Sequence, residues 1–216
     1  MNAVDTPPDP LAVTTLLWIV LGVVLPVLAV CATAFAKISV VLGALRGGLG
    51  NPDMLPLPVM SGLAAVLALV VMLPVGRQAL EAAGEVRPDA VGAAQAVERA
   101  WPVWDGWLSQ HTKPEDEATV RATRPALAPA VPPSPSDDLT PAERVLAFML
   151  TELTAAFQMA VAVLLPFLIV DLLVSNTLTV LGFAMLSPQV VALPFKLLLF
   201  VAVGGWGLLV RGLAHG

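Results

Sequence analysis

Apolar residues occur along this chain in a few long runs rather than at alternating positions. Four runs stand out, and they cover residues 11–36, 54–75, 145–170 and 172–210. Each exceeds the roughly 18–20 residues that a helix needs to cross the hydrocarbon core of a bilayer. Because a helix satisfies its own backbone hydrogen bonds inside lipid, this pattern predicts an all-α membrane protein.

Turn signals arrange the four runs into two helical hairpins. A glycine-rich stretch ending at Gly50 closes the first helix, and three prolines between residues 52 and 58 lead into the second run. We therefore expect an N-terminal hydrophobic hairpin over residues 1–75 and a C-terminal hydrophobic hairpin over residues 145–216.

Between the hairpins, residues 76–144 are polar, acidic and rich in proline. From about residue 125 to 141 the composition predicts a linker, since so many prolines among small residues cannot hold a regular element. The linker ends at Thr140, Pro141 and Glu143, which form the sequence pattern of a capping box. The third long helix is therefore expected to begin here.

Three tryptophans in the middle region, Trp101, Trp104 and Trp107, share roughly one face of a helix. Such a stripe can pack on a neighbouring helix or form a ligand site. We favour packing, because apolar stripes at helical spacing are usually part of a core.

The composition of the chain argues against several classes of function. Of the 216 residues 57% are hydrophobic and 12% are charged, with a net charge of −5 and a mean hydropathy of +0.85. No basic stripe with interleaved aromatic residues is present, so nucleic acid is not an expected partner. Cys31 is the single cysteine, and both histidines lie outside the apolar runs, without an HExxH pattern. These features predict neither an enzyme nor a protein with a metal ion or a cofactor.

The first apolar run has to be compared with a secretory signal peptide. No Lys or Arg precedes it, and it is longer than the roughly 7–15 residues of a signal peptide's apolar region. We therefore expect a retained helix.

A few charged side chains interrupt the apolar runs, among them Lys37, Glu152, Asp171 and Lys196. An unpaired charge at the bilayer centre costs roughly 2.5–3.5 kcal/mol on insertion scales, so these groups need partners. The sequence favours a pair between Glu152 and Lys196, within or between subunits, that supports assembly. Lys37 and Arg46 in the first hairpin favour a cytoplasmic turn under the positive-inside rule.

Further polar residues in the C-terminal half are expected to form a polar seam between packed helices. The members of this seam are Gln158, Asp171, Ser175 and Asn176. We expect Asp171 to close the third helix and breaks to follow at Ser187-Pro188 and Pro194. Broken, polar helices at membrane depth are tolerated only against protein or a water-filled cavity, which indicates a tight assembly around an opening.

Several of these segments carry ordered sequence signatures. The first is FAKISVVL at residues 35–42, followed by LR at 45–46 and LG at 49–50. The second comprises ELTAAFQ at 152–158, LPFLIVDLLVSN at 165–176, LPFKLLLF at 193–200 and GW at 205–206. Together they resemble the SctR/FliP family, the export-gate proteins of type III secretion, and ERAW at 98–101 is similar to the injectisome branch of that family.

The resemblance implies a subunit of a pentameric helical ring in the bacterial inner membrane, in contact with membrane lipid. With two smaller membrane proteins, of the SctS/FliQ and SctT/FliR kinds, such a ring builds a closed conduit for unfolded secreted proteins. The family's methionine-rich constriction loop corresponds here to residues 183–185, so Phe183 and Met185 are candidates for an apolar gasket. Ordinary hairpin packing is the alternative for this turn.

Two other functions remain open from the residues themselves. A secondary transporter or ion channel would use Glu152, Asp171 and Lys196 as ion or proton ligands near the bilayer midplane. A membrane-anchored binding module would require residues 76–143 to fold and bind alone.

Overall fold

The structure, a computed structural model, describes residues 31–51, 53–85, 87, 90–127, 138–183 and 185–215, with six single positions between 15 and 30. Over these ranges every regular element is a helix, which confirms the all-α prediction. The helices are α1 (Phe35–Leu49), α2 (Leu57–Ala83), α3 (Ala90–Gln110), α4 (Pro114–Leu127), α5 (Pro141–Val180), α6 (Pro188–Ala202) and α7 (Gly205–His215). The first predicted apolar run lies largely outside the described residues.

Helices α1 and α2 form the predicted first hairpin. Gly50 ends α1 with a φ of 78°, a left-handed conformation that suits glycine, and its N–H bonds to the carbonyl of Gly47. The Nε of Arg46 donates to the carbonyl oxygen of Leu55 at 2.7 Å, which ties the turn to the end of α1. Arg46 therefore has a local structural role in the hairpin, in addition to the role in topology that the positive-inside rule predicts for it.

The core lies around α1, which packs between α2 and α5. Ile38, Val41 and Leu45 of α1 have no exposed surface, and the small Ala64 of α2 is also fully buried. Alanine at such a position lets two helix backbones approach closely, which is how helices pack in a bilayer that offers no hydrophobic driving force.

Helix α5 begins where the sequence predicted. The side chain of Thr140 accepts a hydrogen bond from the backbone of Glu143, and the carboxylate of Glu143 accepts one from the backbone of Thr140 at 2.8 Å. The helix then continues for 40 residues, through Pro166 and Asp171. The expectation that Asp171 closes it is wrong, because the Asp171 carboxylate binds Lys196 rather than competing for the backbone.

The length of α5 limits how much of it lipid can surround. At 1.5 Å per residue it is about 60 Å long, whereas the hydrocarbon core is about 30 Å thick. Part of α5 therefore has to lie outside the hydrocarbon or against other protein. Its N-terminal turns, which carry Glu143 and Arg144, are the polar part.

The second hairpin consists of α5, a connection that includes residues 181–183 and 185–187, and α6. Helix α6 begins at Pro188 as expected, but Pro194 lies inside it and does not break it, because buried contacts of Ala192 and Phe200 hold the helix on both sides. The real break comes at Gly204, with a φ of 64°, where α7 turns by 62° from the direction of α6.

The middle region contains α3 and α4. Trp104 and Trp107 pack against the core, and the ring centres of Trp107 and Phe148 are 5.2 Å apart, so the packing interpretation of the stripe is confirmed for these two. Helix α4 continues to Leu127, three residues into the predicted linker. Most of that linker, residues 128–137, lies outside the described residues.

Among the described helices, α2 and α5 are each long and apolar enough to cross a membrane. The bent pair α6 and α7 would add a third crossing if it counts as one span. The last three apolar runs of the sequence thus correspond to two or three candidate spans in the described part of the chain.

Candidate functional site

The first charge centre joins the beginning of α1 to α5. The Nζ of Lys37 lies 3.2 Å from Oε1 of Glu152, and only 5% and 4% of the two side chains are exposed. Lys37 is the third residue of α1, and Glu152 lies three turns into α5. Because both side chains are buried, loss of either one would leave the other as an unpaired buried charge, which is strongly destabilising.

The second charge centre joins the end of α1 to α5 and α6. The Nζ of Lys196 lies 2.7 Å from Oδ2 of Asp171 and 2.7 Å from the carbonyl oxygen of Gly48. Lys196 is 1% exposed, the most buried charged residue in the described chain. One ammonium group therefore connects three helices.

The predicted pair of Glu152 with Lys196 is wrong within the subunit. Helices α1 and α5 run in the same direction, since Lys37 meets Glu152 and Gly48 meets Phe167 further along both. This arrangement places Lys37 opposite Glu152 and leaves Lys196 at the far end, where Asp171 is the nearer carboxylate.

Both centres match the dipole of α1. A helix N-terminus carries partial positive charge and a C-terminus partial negative charge. The Glu152 carboxylate lies at the N-terminal end of α1, where the helix dipole favours a negative charge. It also compensates the positive charge of Lys37, which the partial positive charge of this helix end would otherwise disfavour. At the C-terminal end, the ammonium group of Lys196 donates to the carbonyl oxygen of Gly48, which has no hydrogen-bond partner within the last turn of α1.

Each carboxylate uses only part of its hydrogen-bonding capacity within the described chain. Oε2 of Glu152 and Oδ1 of Asp171 are buried and have no hydrogen-bond partner there. Buried acceptors in native proteins are normally satisfied, so these two oxygens are candidates for donors from outside the described residues.

Gly48 sets the approach of α1 to α5. A Cβ atom at this position would lie 2.6 Å from Cδ2 of Phe167 and 2.9 Å from Cδ2 of Leu164, too close for any other residue without rearrangement. Gly47 next to it faces open space. The sequence interpretation assigned the whole glycine stretch to helix closure, and it missed this packing role because a glycine's neighbours are not visible in a sequence.

A third polar cluster joins α3 and α4 to the start of α5. We call it the junction, and it consists of Asp105, Glu117 and Arg144 with the neighbouring pairs Arg124–Glu143 and Asp116–Thr151. Arg144 lies 3.0 Å from the carboxylate of Asp105 and 2.6 Å from that of Glu117. The junction connects the middle region firmly to α5, and the sequence did not suggest it because its members are up to 39 residues apart.

The predicted polar seam does not form one stripe within the chain. Asp171 and Ser175 lie about one turn apart on α5 and are half-buried, whereas Gln158 and Asn176 are exposed. Residues 158 and 171 point about 140° apart around the helix at 100° per residue, so one contact surface cannot cover both.

The turn between α5 and α6 exposes its apolar side chains. Phe183 is 52% exposed and Met185 is 97% exposed. Gly182 has a φ of 77°, which allows the chain to leave α5 sharply and project these side chains beyond the helix end. Packing within the hairpin therefore does not account for Met185.

Comparison with known proteins places these features in a family. The sequence profile of the FliP family matches residues 17–213, which is nearly the whole chain. The chain belongs to the FliP family. The resemblance expected from the two sequence signatures is thereby confirmed.

Relatives of this FliP-family chain come from both secretion and flagellar systems. The hypersensitivity response secretion protein HrcR of Ralstonia nicotianae is 36% identical, over 88% of this chain and 90% of its own length. The Yop proteins translocation protein R of Yersinia pestis is 35% identical, over 88% of each chain. The flagellar biosynthetic protein FliP of Pectobacterium carotovorum is 39% identical, over 95% of this chain and 78% of its own.

Membership makes this chain a component of a type III secretion apparatus in the bacterial inner membrane. The apolar candidate spans agree with that location. Its relatives are structural parts of their apparatus.

Proposed function

We propose that this chain is a structural, pore-building subunit of the export gate, which conducts unfolded proteins across the inner membrane. The main support for this proposal is the exposed turn between α5 and α6. An apolar Met185 at 97% exposure, at the end of a long hairpin, is costly for a monomer in water and useful at a constriction lined by several copies.

Assembly into a ring is the second part of the proposal. We infer a homopentamer together with two smaller membrane proteins of the SctS/FliQ and SctT/FliR kinds. The unsatisfied oxygens of Glu152 and Asp171 support it, because a neighbouring subunit could donate to them. The exposed apolar residues on α5, such as Leu168 and Leu172, offer surface for either a neighbour or lipid.

The gasket would work through soft apolar contact. A thioether and a phenyl ring adapt to irregular surfaces, so several copies of Phe183 and Met185 around an axis could exclude water and ions. A polypeptide could still displace them, because each contact is weak by itself.

The test is conductance of the purified gate complex in planar bilayers. Replacing Phe183 and Met185 together with alanine should leave the complex assembled, by native mass spectrometry, but leaky to small ions. The matched variant Met185→Leu keeps an apolar side chain of similar volume and should remain closed. A double alanine variant as tight as the parent would show that the seal lies elsewhere and that the turn only packs.

The transporter alternative has weaker support. Glu152 and Asp171 are 19 positions apart on one continuous helix, which corresponds to about 28 Å along its axis, and each already binds its own lysine. A single ion site built from both is therefore not possible within the subunit. We expect Glu152→Gln to impair assembly, and an intact assembly that has lost a pH-dependent ion flux would favour the transporter instead.

A further inference from the structure

The side of α5 that points away from its own chain carries a stripe of exposed side chains. Its members follow one another at spacings of three or four positions, so at 100° per residue they fall within an arc of about 80°. We call it the outer stripe, and it consists of Gln158, Val161, Leu165, Leu168, Leu172 and Asn176. The buried residues Ala156, Ala160 and Phe167 lie on the opposite side of the helix. Within the described residues, α5 therefore packs with one side and leaves the outer stripe open.

The two amides of the outer stripe limit what can cover it. Gln158 and Asn176 are 18 positions apart, which is five helical turns, so they lie on one line along α5 at a separation of about 27 Å. A helix that faces lipid needs roughly 20 apolar positions to cross a hydrocarbon core of about 30 Å. Residues 159–175 supply fewer. Lipid over the whole stripe would therefore hold at least one amide inside the hydrocarbon, where a polar group without a hydrogen bond is costly.

Protein covers such a stripe at lower cost, and a second copy of this chain matches it. Copies related by a rotation axis present identical residues at the same height. An amide both donates and accepts, so identical glutamines can bond to one another, and so can identical asparagines. No residue of the stripe is charged, and Asp171, the only charged residue between positions 153 and 180 of the sequence, is bound to Lys196. Identical copies can therefore meet here without repulsion between like charges.

The outer stripe also leads to the turn that we place at the constriction. Helix α5 ends at Val180, three residues before Phe183. If Phe183 and Met185 of several copies meet around one axis, the C-terminal ends of their α5 helices converge on that axis as well. This step rests on the proposed function.

We propose that the outer stripe of α5 is a contact between copies of this chain. The α5 helices of neighbouring subunits lie side by side in the same direction, with their Gln158 amides hydrogen-bonded to one another at one height and their Asn176 amides five turns further on. The four apolar residues between these amides pack against one another. A polar residue in an apolar contact fixes the register of the helices, because a shift along the axis separates each amide from its partner.

Cross-linking of the purified assembly tests this contact. All variants carry Cys31→Ser, which removes the single cysteine. Leu165→Cys places a thiol at the centre of the stripe, and a short bismaleimide should join it to the same residue of a neighbouring copy, which gives a dimer on a denaturing gel. Val66→Cys on α2 is the matched control, because Val66 and Leu165 are 58% and 52% exposed on the two candidate membrane-crossing helices. The control should stay monomeric.

Charged variants test whether the copies meet at one height. Gln158→Glu and Gln158→Lys each bring like charges together, and each should lower the assembled fraction in native mass spectrometry by about tenfold or more. Co-expression of the two variants should restore most of the assembly, because unlike charges then meet. Gln158→Met is neutral and similar in size, and it should cost only about threefold, the effect of one hydrogen bond between membrane helices.

The proposal is overturned if Leu165→Cys gives no dimer in an assembly that contains several copies of the chain. That result leaves the ring and the gasket intact, so it differs from a failure of the proposed function, in which native mass spectrometry finds a single copy. A cross-link from Leu165→Cys to a smaller protein would show that another component covers the stripe. A mixture of Gln158→Glu and Gln158→Lys that assembles no better than either variant, with both present in the membrane fraction, would also contradict the contact.

Discussion

The Lys37–Glu152 pair and the junction around Arg144 hold α5 to its neighbours in opposite ways. In the pair, one lysine meets one carboxylate, both nearly fully buried at 5% and 4% exposure. At the junction, the guanidinium of Arg144 binds the carboxylates of both Asp105 and Glu117, and 33% of the Asp105 side chain is exposed.

The difference follows from the dielectric environment. Water can reach the junction, so the loss of one partner there is partly compensated by solvation. The buried pair has no such compensation, because taking charges out of water costs several kcal/mol per ion and only the partner offsets it. Contacts between opposite charges are therefore replaceable at the junction and obligatory in the buried pair.

The largest effect is expected at the buried pair. Lys37→Met should destabilise the chain by about 3–5 kcal/mol, because it leaves Glu152 charged and alone. The double variant with Glu152→Met should recover much of that loss, since apolar residues of similar volume can replace a buried pair. Accumulation in the membrane fraction and the melting temperature in detergent measure both.

If the double variant is as unstable as Lys37→Met, the cost comes from packing at these positions and not from the charge. The comparison between pair and junction would then fail.

The next effect concerns the close approach of α1 and α5 between the two charge centres. Gly48→Ala should destabilise the chain by about 1–3 kcal/mol, because the new methyl group overlaps Phe167 and Leu164. Gly47→Ala is the matched control, and it should be neutral or stabilising by up to about 1 kcal/mol, since alanine favours a helix. Equal melting temperatures for the two variants would contradict the close contact.

A smaller effect is expected at the junction. Arg144→Ala removes two charge-assisted hydrogen bonds, but water can solvate the carboxylates left behind, so we expect a loss of about 1–2 kcal/mol that shrinks at high salt. Lys113→Ala, which removes an exposed pair at 3.8 Å, should change little. A loss for Arg144→Ala as large as that for Lys37→Met would remove the contrast between the two regions.

The smallest effect is expected in the proline-rich linker. Deleting residues 131–134 should change the free energy of unfolding by less than about 0.5 kcal/mol, because closure entropy depends only weakly on loop length. Arg124 of α4 already reaches the carbonyl of Asp138 at 3.2 Å, so the two ends of the linker lie close together. Normal expression with loss of assembly would instead reveal an ordered contact in the linker.

The sequence by itself determined the helical class, the first hairpin, the start of α5 at its capping box and the start of α6 at Pro188. These features depend on local physics: the length of an apolar run, the conformational freedom of Gly50 and the N-cap chemistry of Thr140. The family was also accessible, because its signature residues are ordered along the chain.

Only the tertiary structure decided which charges pair. Lys37 and Glu152 are 115 positions apart, and Lys196 and Gly48 are 148 apart, so their meeting depends on α1 and α5 packing in the same direction. Nothing local in the sequence encodes that direction. The same packing gave Gly48 its role against Phe167, which no linear pattern could reveal, because it arises from contact between two helices that are distant along the chain.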